Sequence, residues 1–318
     1  MTYVLLLVGF VLLIKGADYF VEGASKLAQF LRVSPLLIGL TIVAFGTSAP
    51  EATVSFIAAL EGSSDVAIGN VVGSNIFNAT FILGVTAMVF PLAVQNVTVR
   101  KEIPFALLAA VALLILISDV SLQYSEINLI TRTEGFILLL FFAVFLYYIF
   151  EMARENRSQI PEIPTDTGNT SLVKNLVFTF GGLLAIVFGG DLVVKNSTQI
   201  ALSLGMSETL VGLTIVAVGT SLPELVTSIT AALKKQSEIA LGNIVGSNIF
   251  NIFFVLGASA VIHPLAVDSK IFLDMWVMVI LTILLLVFSR TQFKISKIEG
   301  ANLAIIYIIY LAFIILRN

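Results

Sequence analysis

GLTIVAFGTSAPE at residues 39–51 recurs as GLTIVAVGTSLPE at residues 212–224, so the chain repeats itself at an offset of 173 residues. Each copy ends on a glutamate, Glu51 or Glu224, set in a run of apolar residues long enough to cross a bilayer. A charge at that depth is costly, and ionisable residues inside membrane helices normally serve a function. The match is densest from Gly39 to Val94 against Gly212 to Val267 and reaches back weakly to Gly16 and Asp18 against Gly189 and Asp191. At this offset the fourth and fifth apolar runs of each half show no such match.

Composition decides which solvent these runs face. Hydrophobic residues make up 58% of the 318 and charged residues 12%, with a mean hydropathy of +1.05. Most of the chain must therefore contact lipid or other apolar helices, which makes it an all-α polytopic membrane protein. A net charge of −3 points to neither nucleic acid nor an acidic substrate. There is no cysteine, which excludes disulfides and thiolate chemistry. The apolar N-terminus continues to about Leu31 and has a counterpart near residues 182–204, so it reads as a retained helix rather than a signal peptide.

About 20 apolar residues span a bilayer as a helix. Ten such spans are expected near 3–31, 34–60, 66–90, 102–119, 129–150, 172–204, 207–233, 239–262, 270–289 and 299–316. The long polar stretch 151–171, containing EIPTDTGNTS, reads as a linker between two groups of five, 1–150 and 172–318. Five is odd, so the second group must sit upside down relative to the first. The expected fold is ten transmembrane helices as two inverted five-helix repeats, a plan that builds secondary transporters with ion sites at the midplane. Cytoplasmic loops collect lysine and arginine. An extracytoplasmic N-terminus leaves only Arg132, Lys270 and Arg317 outside and puts residues such as Arg100, Lys101, Lys174, Lys234, Lys235 and Arg290 inside. Both termini are thus expected outside and the linker inside.

Ala44, Thr47, Ser48 and Glu51 follow the spacing i, i+3, i+4, i+7 and share one helix face. Pro50 has no N–H for the carbonyl of Gly46, so the helix should open there and expose carbonyl oxygens. Ala217, Thr220, Ser221, Pro223 and Glu224 repeat this. GNVVGSNIFN at 69–78 places Asn70, Ser74 and Asn78 at spacings of four, and GNIVGSNIFN at 242–251 does the same for Asn243, Ser247 and Asn251. Four such stripes converging would supply carboxylate, hydroxyl, amide and carbonyl oxygens, with no nitrogen or sulfur ligand. All-oxygen sites take hard cations, and a flexible one suits calcium better than magnesium. One calcium ion balances two carboxylates; sodium ions would need several subsites. Ions competing for the same glutamates exclude one another, which is the logic of antiport. Protons are the rival counter-ion, since a carboxylate can be neutralised by protonation when its cation leaves.

With GTSAPE and GSNIFN in one half and GTSLPE and GSNIFN in the other, the chain resembles the cation/calcium antiporter superfamily and, within it, the sodium/calcium exchanger family, as a prokaryotic member. The resemblance implies a ten-helix exchanger of the plasma (inner) membrane that moves calcium against sodium by alternating access. Its first and sixth helices would slide against the remaining bundle, and it would need no cofactor. It implies that Glu51 and Glu224 are shared between the ions, that Thr47, Ser48, Ser74 and the Ala44 carbonyl are first-half ligands, and that Thr220, Ser221, Ser247 and Ala217 are their partners. Asn78 and Asn251 are the implied central pair. Potassium-dependent relatives carry aspartate where this chain has Asn251, which argues against potassium co-transport.

Other polar residues read differently. Asn70, Asn243, Asn75 and Asn248 are expected to pack helices. Asp18 and Asp191 lack surrounding oxygens and read as structural. His263 abuts Pro264 at a span end, and its counterpart is Phe90, which suits an interface residue. A passive cation channel is the competing class, although an internal duplication can complete a site within one chain and favours a transporter. The expected partners are calcium and sodium ions and the bilayer.

Overall fold

The computed structural model describes residues 2–122, 124–159, 172–205 and 217–317. The apolar runs form helices because lipid offers nothing to an unpaired backbone group. Seven described helices are long and apolar enough to span: α1 (Thr2–Leu31), α4 (Ser64–Val89), α6 (Arg132–Gln159), α7 (Leu172–Ser203), α10 (Ser237–Ile262), α11 (Ile271–Arg290) and α12 (Lys297–Arg317). An eighth span is α2 (Pro35–Thr47) with α3 (Ala49–Leu60), bent by 48°. The expected fourth span is α5 (Ile103–Leu116), preceded by a wide π-helical turn at Thr98–Glu102. The expected seventh is described from residue 217 on, as α8 (Ala217–Gly219) and α9 (Leu222–Leu233). Residues 206–216 and 160–171 lie outside the described residues. α6 carries its helix to Gln159, into the stretch expected as linker. EMARENRSQ has no glycine or proline and is rich in helix formers.

Polarity sorts the helices into layers. α10 and α4 carry the asparagines and serines and are the most enclosed, with 83% and 78% of their apolar windows buried, against 17% for α12. The outer helices turn Trp276, Ile280, Ile305 and Ile308 outward, as lipid contact requires. α1 and α7 pack along each other over their length. Gly16 and Gly182 make this close approach possible: a Cβ on Gly182 would sit 2.6 Å from the Phe20 backbone nitrogen, and one on Gly16 would sit 2.9 Å from the Gly182 carbonyl oxygen.

The two groups of helices interlock by exchange. Phe77 and Phe81 of α4 pack on Tyr307 of α12, with ring centroids 4.9 and 5.5 Å apart. Phe250 and Phe254 of α10 pack on Phe142 of α6 at 5.8 and 5.3 Å. Gly84 meets Gly300 and Gly257 meets Gly135 in backbone contact too close for a Cβ. Two antiparallel bridges, unforeseen in an all-helical expectation, follow the same rule: β1 (Leu92–Ala93) pairs with β4 (Lys294–Ile295), and β2 (Leu129–Ile130) with β3 (Leu265–Ala266). In each pair of contacts, a first-half residue at the fifth helix corresponds to a second-half residue 165 positions later: Gly135 to Gly300 and Phe142 to Tyr307. The repeat therefore reaches the fifth helix, and a shortening of eight residues hides it at the offset of 173.

Candidate cation site

The break predicted by Pro50 is where the structure bends. Ser48 leaves the helix at φ −82° and ψ 7°, and α3 starts again at Ala49 with proline in its first turn. Ser221 does the same at φ −90° and ψ 9° ahead of α9. Glu51 and Glu224 thus lie in the first turn of a new helix, where unpaired N–H groups favour a carboxylate. α4 and α10 widen into π-helical turns at Asn78–Ile82 and Asn251–Leu256. Such wide turns are frequent at functional sites.

Side chains from the two halves are tied across one another. Ser48 Oγ donates to Glu224 Oε1 at 2.8 Å, and Ser221 Oγ donates to Glu51 Oε1 at 2.7 Å. Ser221 Oγ also lies 3.3 Å from Ser74 Oγ. Ser247 Oγ donates to the Ala44 carbonyl at 3.4 Å. Thr47 Oγ1 donates to Asn243 Oδ1 at 2.9 Å and lies 3.0 Å from the Val43 carbonyl oxygen. Asn78 Nδ2 donates to Asn248 Oδ1 at 3.1 Å, and Asn251 Nδ2 donates to Asn75 Oδ1 at 3.2 Å. Glu51, Glu224, Ser48, Ser221, Thr47, Ser74, Ser247, Asn78 and Asn251 are all buried. Thr220 is half-buried and its hydroxyl lacks a hydrogen-bond partner. Ala217 opens α8, and the residues before it lie outside the described residues.

One feature of this network bears directly on ions. Glu51 Oε2, Glu224 Oε2, Asn78 Oδ1 and Asn251 Oδ1 are buried acceptors with no hydrogen-bond donor. Nearly all buried polar atoms in folded proteins are hydrogen-bonded, and an unpaired buried carboxylate is among the costliest exceptions. Two acidic and two amide oxygens left without donors are suited to a hard cation. Among the described residues no group of three or more histidine, cysteine, aspartate or glutamate side chains could hold a metal, so two carboxylates set the charge here.

Several residues read as packing in the sequence are part of the network. Asn70 Nδ2 donates to the Glu51 carbonyl at 3.0 Å and to Ser55 Oγ at 2.9 Å; Asn243 Nδ2 donates to the Glu224 carbonyl at 3.4 Å and to Ser228 Oγ at 3.0 Å. These asparagines hold the reopened helices from behind. Ser55 and Ser228, four residues past each glutamate on the same face, could have been found by that spacing. Asp18 pairs with Lys234 at 2.6 Å and Asp191 with Lys195 at 2.9 Å, as structural acids would. His263 is exposed, its Nδ1 2.8 Å from the Pro264 carbonyl oxygen.

The sodium/calcium exchanger protein family model matches residues 1–151 and 174–316. The chain belongs to the sodium/calcium exchanger family. It is accordingly a membrane ion transporter and not an enzyme. Sodium/calcium exchanger MaX1 of Methanosarcina acetivorans is 35% identical over 97% of each chain. Inner membrane protein YrbG of Escherichia coli strain K12 is 38% identical over 83% of this chain and 81% of its own. A solved structure of the sodium-calcium exchanger NCX_Mj covers 98% of each chain at 33% identity with a TM-score of 0.83.

Proposed function

We propose that this member of the family is a secondary antiporter that exchanges calcium for sodium by alternating access at one site built around Glu51 and Glu224. The observation that carries this is the set of four buried, donorless oxygens on Glu51, Glu224, Asn78 and Asn251. The ligand set is completed by the hydroxyls of Thr47, Ser48, Ser74, Thr220, Ser221 and Ser247 and by the carbonyls of Ala44 and Ala217. Calcium neutralises both carboxylates at once, whereas sodium ions must occupy separate subsites around the same groups, so the two loads exclude each other. In this reading the ten helices form two inverted repeats, 1–150 and 172–318, in the inner membrane, with both termini extracytoplasmic. α1 and α7 slide along their glycine contact to open the site to either side. One chain suffices, because each half supplies the other's hydrogen bonds.

The test is calcium uptake into vesicles containing the purified protein and loaded in turn with sodium, potassium or a proton gradient. Uptake is expected only with a sodium gradient and is expected to stop when that gradient is collapsed; uptake indifferent to the gradient would indicate a channel. Glu51→Gln and Glu224→Gln each keep the side-chain shape but remove a charge. Each is expected to lower calcium flux at least about a hundredfold, the scale of losing one buried charge contact of about 3 kcal/mol, with normal membrane insertion. Near-wild-type exchange by either variant would sink the site.

A further inference from the structure

Asn75 and Asn248 follow Ser74 and Ser247 and were expected only to pack helices. Asn75 Nδ2 donates to the Asn248 backbone carbonyl at 3.1 Å, and Asn248 Nδ2 donates to the Asn75 backbone carbonyl at 3.3 Å. A backbone carbonyl can only accept, so these two bonds decide which end of each amide carries nitrogen. The oxygen ends are turned the other way. There Asn75 Oδ1 accepts from Asn251 Nδ2 and Asn248 Oδ1 accepts from Asn78 Nδ2. With their nitrogens engaged, Asn78 and Asn251 keep Oδ1 as the end without a donor. All four side chains are buried, and the four bonds run from one half to the other without exception.

We propose that Asn75 and Asn248 are positioning residues, which lock Asn251 and Asn78 with oxygen, not nitrogen, directed to the cation. The inference rests on the exchange reading above. An asparagine amide is nearly symmetric in shape but opposite in charge at its two ends. Turned over, it would present two N–H donors to a cation and repel it. Backbone carbonyls anchor the orientation, so it cannot be reversed by turning one amide alone. Because each lock crosses between α4 and α10, the ligand of one half is oriented by the other.

The test is a double-mutant cycle on sodium-driven calcium uptake in vesicles, comparing the wild type, Asn248→Ala, Asn78→Ala and the double variant, with thermal stability in detergent measured in parallel. Asn248→Ala is expected to raise half-saturating calcium about tenfold with the maximal rate within about twofold, and to add nothing once Asn78 is already alanine. Asn75→Ala and Asn251→Ala are expected to behave alike. Each cycle is run with serine as well as alanine, so that failed insertion of one variant does not decide it. Changes in half-saturating calcium that add within error in both cycles would reduce Asn75 and Asn248 to packing residues and overturn the inference. Wild-type vesicles that ignore a sodium gradient would overturn the exchange assignment itself, whereas wild-type exchange with additive cycles overturns only the lock.

Discussion

The same four-residue pattern, Ser or Thr followed three positions later by Glu, occurs at Ser48–Glu51, Thr131–Glu134, Ser221–Glu224 and Ser296–Glu299, with two outcomes. Thr131 and Ser296 follow a strand, so their N–H groups are free, and each accepts the local solution. Glu134 Oε2 takes the Thr131 N–H at 2.7 Å and Glu299 Oε2 takes the Ser296 N–H at 2.8 Å, a capping box in each case. Ser48 follows a helix, and its N–H is already bonded to the Ala44 carbonyl at 3.0 Å. Neither Ser48 nor Ser221 caps its own helix; each hydroxyl goes instead to the opposite glutamate. Charge at the centre is set as narrowly. Asn251→Asp replaces a donor to Asn75 Oδ1 with a second acceptor, so the two oxygens repel unless a cation or proton sits between them. The monovalent-ion dependence of calcium uptake is expected to change in this variant, and an unchanged response to sodium and potassium would discredit the central placement of Asn251.

Among elements, the long pair α1 and α7 and the bent pair α2 and α3 do different work. Proline and the loss of one backbone bond create a bend at a fixed place, where a carboxylate meets a helix start. Glycine lets two helices touch along their backbones. Gly181 and Gly182 are neighbours in α7, yet a Cβ on Gly181 meets nothing within 4 Å while one on Gly182 meets the α1 backbone. Backbone cannot yield as a flexible side chain can, so Gly182→Ala is expected to force α1 and α7 apart, costing about 1–3 kcal/mol. It should lower the melting temperature in detergent and slow exchange. Gly181→Ala is the control and should be neutral in both; equal effects from the two would argue against a tight backbone contact.

At the scale of the whole molecule, neither half is complete. The short bridges, the packing of Tyr307 on Phe77 and of Phe142 on Phe250, and the bonds from Ser48 to Glu224 and from Ser221 to Glu51 run from one half to the other. Orientation is testable because the chain has no cysteine. Thr2→Cys is expected to react with a membrane-impermeant maleimide in intact cells, and Lys235→Cys only after permeabilisation; the reverse pattern would invert the proposed topology. Much of this architecture was legible beforehand. Among the described residues the apolar runs form helices where spans were expected, because lipid punishes any unpaired backbone, although α6 runs on to Gln159; Pro50 located the break because it lacks a donor. The fifth-helix repeat was not legible, since eight missing residues shift its register. Nor were the strands, each two residues long and stabilised only by a partner far along the chain.

What the sequence determined by itself was the membrane fold, the internal duplication and the place of each helix break, because these follow from hydropathy, periodicity and the chemistry of single residues. Tertiary structure alone decided who bonds to whom. Ser48 serves Glu224, Ser221 serves Glu51, and Asn75 and Asn248 orient the amides of the opposite half. A hydroxyl or an amide can satisfy itself locally or at a distance, and only the meeting of the two halves makes the distant partner the better one.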